Sequence, residues 1–240
     1  MPEASHVDAI RIQLAQGPVT VRQLVEFLQV SQPTISRALK VMGDEVVRVG
    51  AGASIQYTLR DASRGFGEIP VYRVTVVGQI EQLGVLIPVR PDGFVMREPD
   101  GTMRHTDSLP WWLADMRPQG YIGRAYALNH AAWLGLPREL NEWNDTHALR
   151  ALLAHGHDGV GNVLLGDIAR ERFLSLNDPE QIAAAQKAAR YVSLALEATR
   201  GEAPGSSAGG EQILLLHWRE INTLMRRQRR RWRCYRPLVY

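Results

Sequence analysis

Cysteine is almost absent: one residue, Cys234, in 240. No internal disulfide can form, and the chain must hold itself together by packing. This fits a reducing, cytoplasmic setting. Also lacking is any apolar run near the roughly 18 residues a spanning helix needs. The first 30 residues carry no apolar stretch of the kind that marks a secretory leader. Charge of one sign is missing from the body. The formal net charge is +3, but residues 213–240 alone hold eight arginines against the single acid Glu220. That tail is +7, which leaves the other 212 residues at −4. Net charge is therefore no argument that the whole body binds nucleic acid. What is plentiful is apolar sequence, 45%, enough for a real core.

Residues 1–61 read as a winged helix-turn-helix. Val7, Ile10 and Leu14 recur at helical spacing, with Gly17 as a stop. Thr20 with Gln23 three residues later forms a capping-box pattern, and Leu24, Phe27 and Leu28 are the expected inner face of that second helix. Ser31 is placed to cap a third helix whose inner stripe is Ile35, Leu39 and Met42, with Pro33 tolerated in its first turn. Two strands then flank the glycine-rich tip Gly50-Ala51-Gly52-Ala53-Ser54. The third helix presents Gln32, Thr34, Ser36, Arg37 and Lys40 outward, and the wing adds Arg48. Such side chains donate to phosphates and read base edges in a major groove. The run Ser31–Leu39 resembles recognition helices of bacterial winged-helix regulators. The expected partner is duplex DNA, bound even by residues 1–60 alone.

Asp61 to Gly67 reads as a short linker. Beyond it, Val71–Val77, Gly84–Arg90 and Phe94–Arg97 are expected strands of a small, mostly antiparallel sheet. Helices are expected at Leu109–Met116, Asn129–Gly135 and His147–His155, and from Asp178-Pro179 to about Arg200. The fold class is α+β.

Three stretches carry a resemblance. Trp112-Leu113-Ala114-Asp115-Met116-Arg117-Pro118-Gln119-Gly120 resembles the Asp-x-x-Pro-x-Gly signature of the HipA-type serine/threonine kinase toxins. His155 to Val163 is similar to that family's segment before the nucleotide loop, and Gly205 to Gln212 to its glycine-rich loop. Their order and spacing carry the likeness more than any one of them. An N-terminal winged helix matches the YjjJ-like branch, in which a DNA-binding domain precedes the kinase. The resemblance implies that residues 67–212 form the N-terminal lobe of a HipA-like kinase. It implies that Ser206, Ser207, Ala208, Gly209 and Gly210 form a vestigial nucleotide loop, and that Ser207 matches an autophosphorylated serine. By themselves these residues read rather as a flexible Gly/Ser linker, and it is the resemblance that favours the loop.

The family continues from this loop into a lysine-bearing strand and then to catalytic and metal-binding aspartates. After Gln212 this sequence runs into Ile213-Leu214-Leu215-Leu216 and the arginine-rich tail. Phosphoryl transfer needs metal, base and a positioned nucleotide together. The expectation is a chain truncated or frameshifted after Gln212, with no catalytic residue, no metal site and no cofactor of its own. ATP and magnesium would belong to intact relatives. The alternative is an ATP-dependent serine/threonine kinase toxin of a type II toxin–antitoxin system. The tail 213–240 is either an out-of-frame end or an arginine-rich arm for nucleic acid. An antitoxin-like protein or a second copy is a further expected partner, and no membrane is expected. His155, His157 and Asp158 could suggest a metal, yet no further ligand cluster accompanies them, so they read as turn residues.

Overall fold

The computed structural model describes residues 2–159, 161–175 and 183–199. They separate into two compact units. One holds residues up to 117 together with 144–175, the other holds 118–143 and 183–199.

The first unit begins with three helices, α1 (Pro2–Leu14), α2 (Val21–Leu28) and α3 (Gln32–Met42). Thr20 and Gln23 close the expected capping box in front of α2, with Thr20 N–H donating to Gln23 Oε1 at 2.8 Å and Gln23 N–H to Thr20 Oγ1 at 3.2 Å. Ile10, Leu14, Leu24, Ile35, Ala38, Leu39 and Met42 make the helical core. Two local readings are corrected. Phe27 is 60% exposed, because the inner stripe of α2 runs through Val21, Leu24, Val25 and Leu28 instead. Ser31 occupies the N-cap of α3 but its hydroxyl pairs with Thr34 Oγ1 at 2.9 Å rather than with a backbone amide.

A hairpin of β1 (Val46–Val49) and β2 (Gln56–Leu59) follows as the wing. Its registers are Val47 opposite Thr58 and Arg48 opposite Tyr57. Five further strands form one antiparallel sheet in the order β6-β5-β4-β3-β7, with β3 at Ile69–Val74, β4 at Ile80–Pro88, β5 at Phe94–Arg97, β6 at Met103–Thr106 and β7 at Val163–Leu165. Gly84 lies where β4 bulges against β3; its φ is +147°, and a Cβ there would sit 2.2 Å from the Arg97 carbonyl oxygen. No other residue fits.

Strand alternation divides this sheet's side chains between two faces. Leu86 and Phe94 point to one face and pack with Ile69, Val71, Leu109, Leu113, Met116, Leu149, Leu152 and Leu165. Those partners come from β3, β7, the short helix α4 (Trp111–Ala114) and its flanks, and from a later helix over Asp145–His155. Ile87, Val89 and Val95 point to the other face and pack against Val47 and Val49 of the wing.

In the second unit, α5 covers Gly120–Leu134, far longer than the expected helix from Asn129. Gly120 opens it with φ +59°, a backbone shape that accounts for glycine at the end of the Asp-x-x-Pro-x-Gly motif. Trp143 is buried there and donates from Nε1 to the Pro137 carbonyl at 2.8 Å. Back in the first unit, α6 is the Asp145–His155 helix, capped by Asn144, and α7 spans Gly166–Leu174. Helix α7 follows β7 directly and was not anticipated. In the second unit α8 spans Lys187–Thr199. The expected cap at Asp178-Pro179 lies outside the described residues.

Candidate nucleic-acid interface

Helix periodicity sorts α3 cleanly. Ile35, Ala38, Leu39 and Met42 are buried, while Gln32, Ser36, Arg37 and Lys40 are exposed on the opposite side. Thr34 is only half-exposed, and its hydroxyl is taken up by Ser31. Arg37 Nε donates to the Pro33 carbonyl at 3.4 Å, which steers the guanidinium along the helix.

On the wing, Val46 packs into the helical core with Tyr57 and Leu59, and Val47 and Val49 turn to the sheet. Arg48 shares the helical side with Tyr57, its cross-strand partner, and lies exposed. Ser36, Leu39, Lys40, Gly43, Val46, Arg48 and Tyr57 line an open cleft of about 400 Å³ between α3 and β1. No acidic side chain lines it. Tyr57 was not singled out by sequence reasoning; its place opposite Arg48 in the hairpin was the available signal.

The six cations of residues 2–61 fall into two sets. Arg11 bonds Glu45 at 3.0 Å and Asp8 at 2.5 Å, Arg22 bonds Glu26 at 3.0 Å, and Arg60 bonds Glu68 at 2.8 Å. Arg37, Lys40 and Arg48 have no carboxylate partner among the described residues, and these three are the ones on the outer face of α3 and on the wing. Exposed ion pairs add little stability. Their importance here is that they neutralise cations elsewhere and leave one side of the domain with uncompensated positive charge.

The segment expected to be a short linker is instead densely bonded to the sheet. Asp61 and Arg64 have side chains only 3% and 8% exposed, joined at 3.0 Å. Arg64 also donates to the carbonyls of Asp92 at 3.1 Å, Val89 at 2.5 Å and Gly93 at 2.6 Å, and stacks over the Phe94 ring at 4.7 Å. The backbone carries the wing into the sheet. Asp61 N–H donates to the Pro88 carbonyl at 3.0 Å and Arg90 N–H to that of Leu59 at 2.8 Å. Burial opposes ionisation of Asp61, but hydrogen bonds from Ser63 and the charges of Arg90 and Arg64 outweigh it and hold the carboxyl below its ordinary value. Glu68 is likewise held low. Burial again opposes, and Arg97 and Arg60, both bonded to it, prevail.

Elsewhere the site expectations find no constellation. Among the described residues, no three of His, Cys, Asp and Glu gather as a metal site. The rings of His155 and His157 lie 6.2 Å apart. Burial, and then Arg172, push the His157 imidazole below its ordinary value. Within the Trp112–Gly120 stretch, Arg117 pairs with Asp145 at 2.7 Å, and Asp145 also accepts the Leu109 N–H at 2.6 Å. This arginine thus fastens the end of the α4 segment to the start of α6. The loop residues Ser206, Ser207, Ala208, Gly209 and Gly210, and the tail 213–240, lie outside the described residues. No described helix is long and apolar enough to cross a membrane.

This geometry, a helix-turn-helix with a wing followed by a sheet domain, coincides with two family matches. Residues 12–45 match the bacterial regulatory proteins of the arsR family. Residues 66–174, from just past the Arg64 junction to the end of α7, match the middle domain of the YjjJ-like toxins. A particular relative is the toxin YjjJ of Escherichia coli strain K12, 36% identical over 200 residues. The alignment takes in 83% of this chain, which spans about 45% of that relative's length. No solved structure matches the chain.

Proposed function

We propose that the chain acts as a DNA-binding transcriptional regulator related to the HipA-type toxin–antitoxin kinases. Helix α3 enters the major groove, and Arg48 with Lys40 holds the adjoining backbone. The observation that carries this reading is the sorting of the winged-helix cations, with carboxylate partners for three of them and an acid-free cleft beside the others. The arsR-type match over residues 12–45 supports it. The match to a YjjJ-like middle domain supports a toxin-related role for the sheet domain. In this reading the sheet domain derives from the N-terminal lobe of a HipA-like kinase, and the chain works in the cytoplasm.

The test is selection of duplexes from a random-sequence pool by the 240-residue chain. A recovered consensus is expected, and Arg37→Ala should weaken binding to it by about 1–3 kcal/mol if Arg37 reads a base. Unchanged affinity after replacing Arg37 and Lys40 together would sink the assignment. The kinase-toxin alternative rests on the name of the relative and on the Gly205–Gln212 stretch. It requires that Ser206 or Ser207 become phosphorylated when ATP and magnesium are supplied.

A further inference from the structure

The wing is a layer shared by two cores. One face of the hairpin, through Val46, Tyr57 and Leu59, closes the helical core. The other, through Val47 and Val49, is buried on Ile87, Val89 and Val95 of the five-stranded sheet. A wing attached only to its helices would turn that second face to water. Here strand β1 also runs beside β6, and the end of β2 bonds to the turn between β4 and β5 through the Asp61 and Arg90 amides. Arg64 then grips that same turn by three carbonyls. The hairpin that carries Arg48 is therefore fixed from behind by residues that lie outside the helix-turn-helix.

We infer that the sheet domain is the mount of the wing, and that Arg64, Val89 and Val95 act as positioning residues that hold Arg48 across the cleft from Lys40. The inference rests on the DNA-binding reading for its functional consequence, while the mount itself is testable without DNA. Loss of the mount frees β1 and β2 to move, so that Arg48 no longer meets the backbone at a fixed distance from α3. Affinity for DNA becomes dependent on side chains that never touch it. A perturbation of the sheet, whether a substitution or a bound partner, then reaches the interface through one packed layer.

The experiment uses the full 240-residue chain with Arg64→Met and Val95→Ala, and Val49→Ala as the variant acting from the wing side. Amide exchange is followed in residues 46–59 against the amides of Ile35 and Leu39. The expected result is exchange accelerated at least about tenfold more in the wing than at Ile35 and Leu39, as for opening of one local unit, and Val95→Ile should keep protection closer to wild type than Val95→Ala does. Equal acceleration in wing and α3, or none, overturns the mount. The second arm measures binding to the tightest duplex recovered from the random pool as salt is varied. In the wild-type background Arg48→Ala should lower the slope of log K against log salt by about 0.9, one phosphate contact. In the Arg64→Met or Val95→Ala background the same change should lower it by less than half as much. Equal effects in both backgrounds overturn the coupling. A wild-type chain that binds no duplex overturns the DNA-binding reading instead, and the exchange arm still decides the mount.

Discussion

Replacing Arg64 by methionine should be the most damaging single change at the junction. The methionine keeps most of the apolar stem but removes the guanidinium. Asp61, with a side chain 3% exposed, then loses its closest cation and keeps only Ser63 and Arg90, the latter 3.5 Å away. The carbonyls of Val89 and Gly93 lose a donor as well. Breaking a buried ion pair by removing one partner costs about 3–5 kcal/mol, because a buried charge is left uncompensated. The retained Ser63 and Arg90 contacts place Arg64→Met near the low end, about 3 kcal/mol. For a domain of this size each kcal/mol moves the melting temperature by about 2–4 °C, so a fall of about 6–12 °C is expected. Urea titration with circular dichroism gives the free energy directly, and Arg64→Met/Asp61→Asn should recover part of the loss because no buried carboxylate remains. A loss under about 1 kcal/mol, with no recovery in the double variant, would refute the view that this segment is a built junction.

Acid should loosen the same junction first. Asp61 and Glu68 both sit below their ordinary values, so the stability they contribute is fully present above the ordinary carboxylate range, about pH 4. It is lost as pH falls through the depressed values, and the acid unfolding of Asp61→Asn should be less steep. Residues 1–61 in isolation should be markedly less stable than in the whole chain. Truncation exposes Val47 and Val49, and burial of one valine is worth about 1.5–3 kcal/mol as an upper estimate, against a total of roughly 3–9 kcal/mol for about 60 residues; a fragment as resistant to urea as the whole chain would contradict the shared-layer packing. Incubation of the chain with labelled ATP and magnesium should leave Ser206 and Ser207 unmodified by mass spectrometry, whereas stoichiometric phosphate absent from Gly209→Pro would favour the kinase alternative.

Much of the winged helix was legible because local rules coincide there. The Thr20–Gln23 box, the stripe through Ile35, Leu39 and Met42, and the glycine-rich wing tip each specify one element without help from elsewhere. The outer-face residues Gln32, Ser36, Arg37, Lys40 and Arg48 stand exposed as periodicity requires, and Thr34 falls at the edge of the face, where its hydroxyl turns to Ser31. The junction was misread because Asp61, Ser63, Gly65 and Gly67 have the composition of a linker. The long-range bonds of the segment, made by Asp61, Ser63 and Arg64, are to β4 and the following turn, about 25–30 residues away, and no local pattern records that. One signal did exist. Val46-Val47-Arg48-Val49 is apolar on both faces of the strand, which a wing open to water on one side does not need. Helix α7 escaped notice because Gly166 and Asp167 resemble a turn, and its buried side rests on little more than Ala169.

The most direct test of the central claim is the salt dependence of duplex binding by the triple variant Arg37→Ala/Lys40→Ala/Arg48→Ala. Each phosphate neutralised contributes about 0.9 to the slope of log K against log salt. If all three cations meet the backbone, the slope should fall by about 2.7; if Arg37 reads a base, it should fall by about 1.8, with loss of discrimination between the selected duplex and a scrambled one. A slope and a discrimination both unchanged from wild type would contradict the account, since these three cations would then lie away from the DNA.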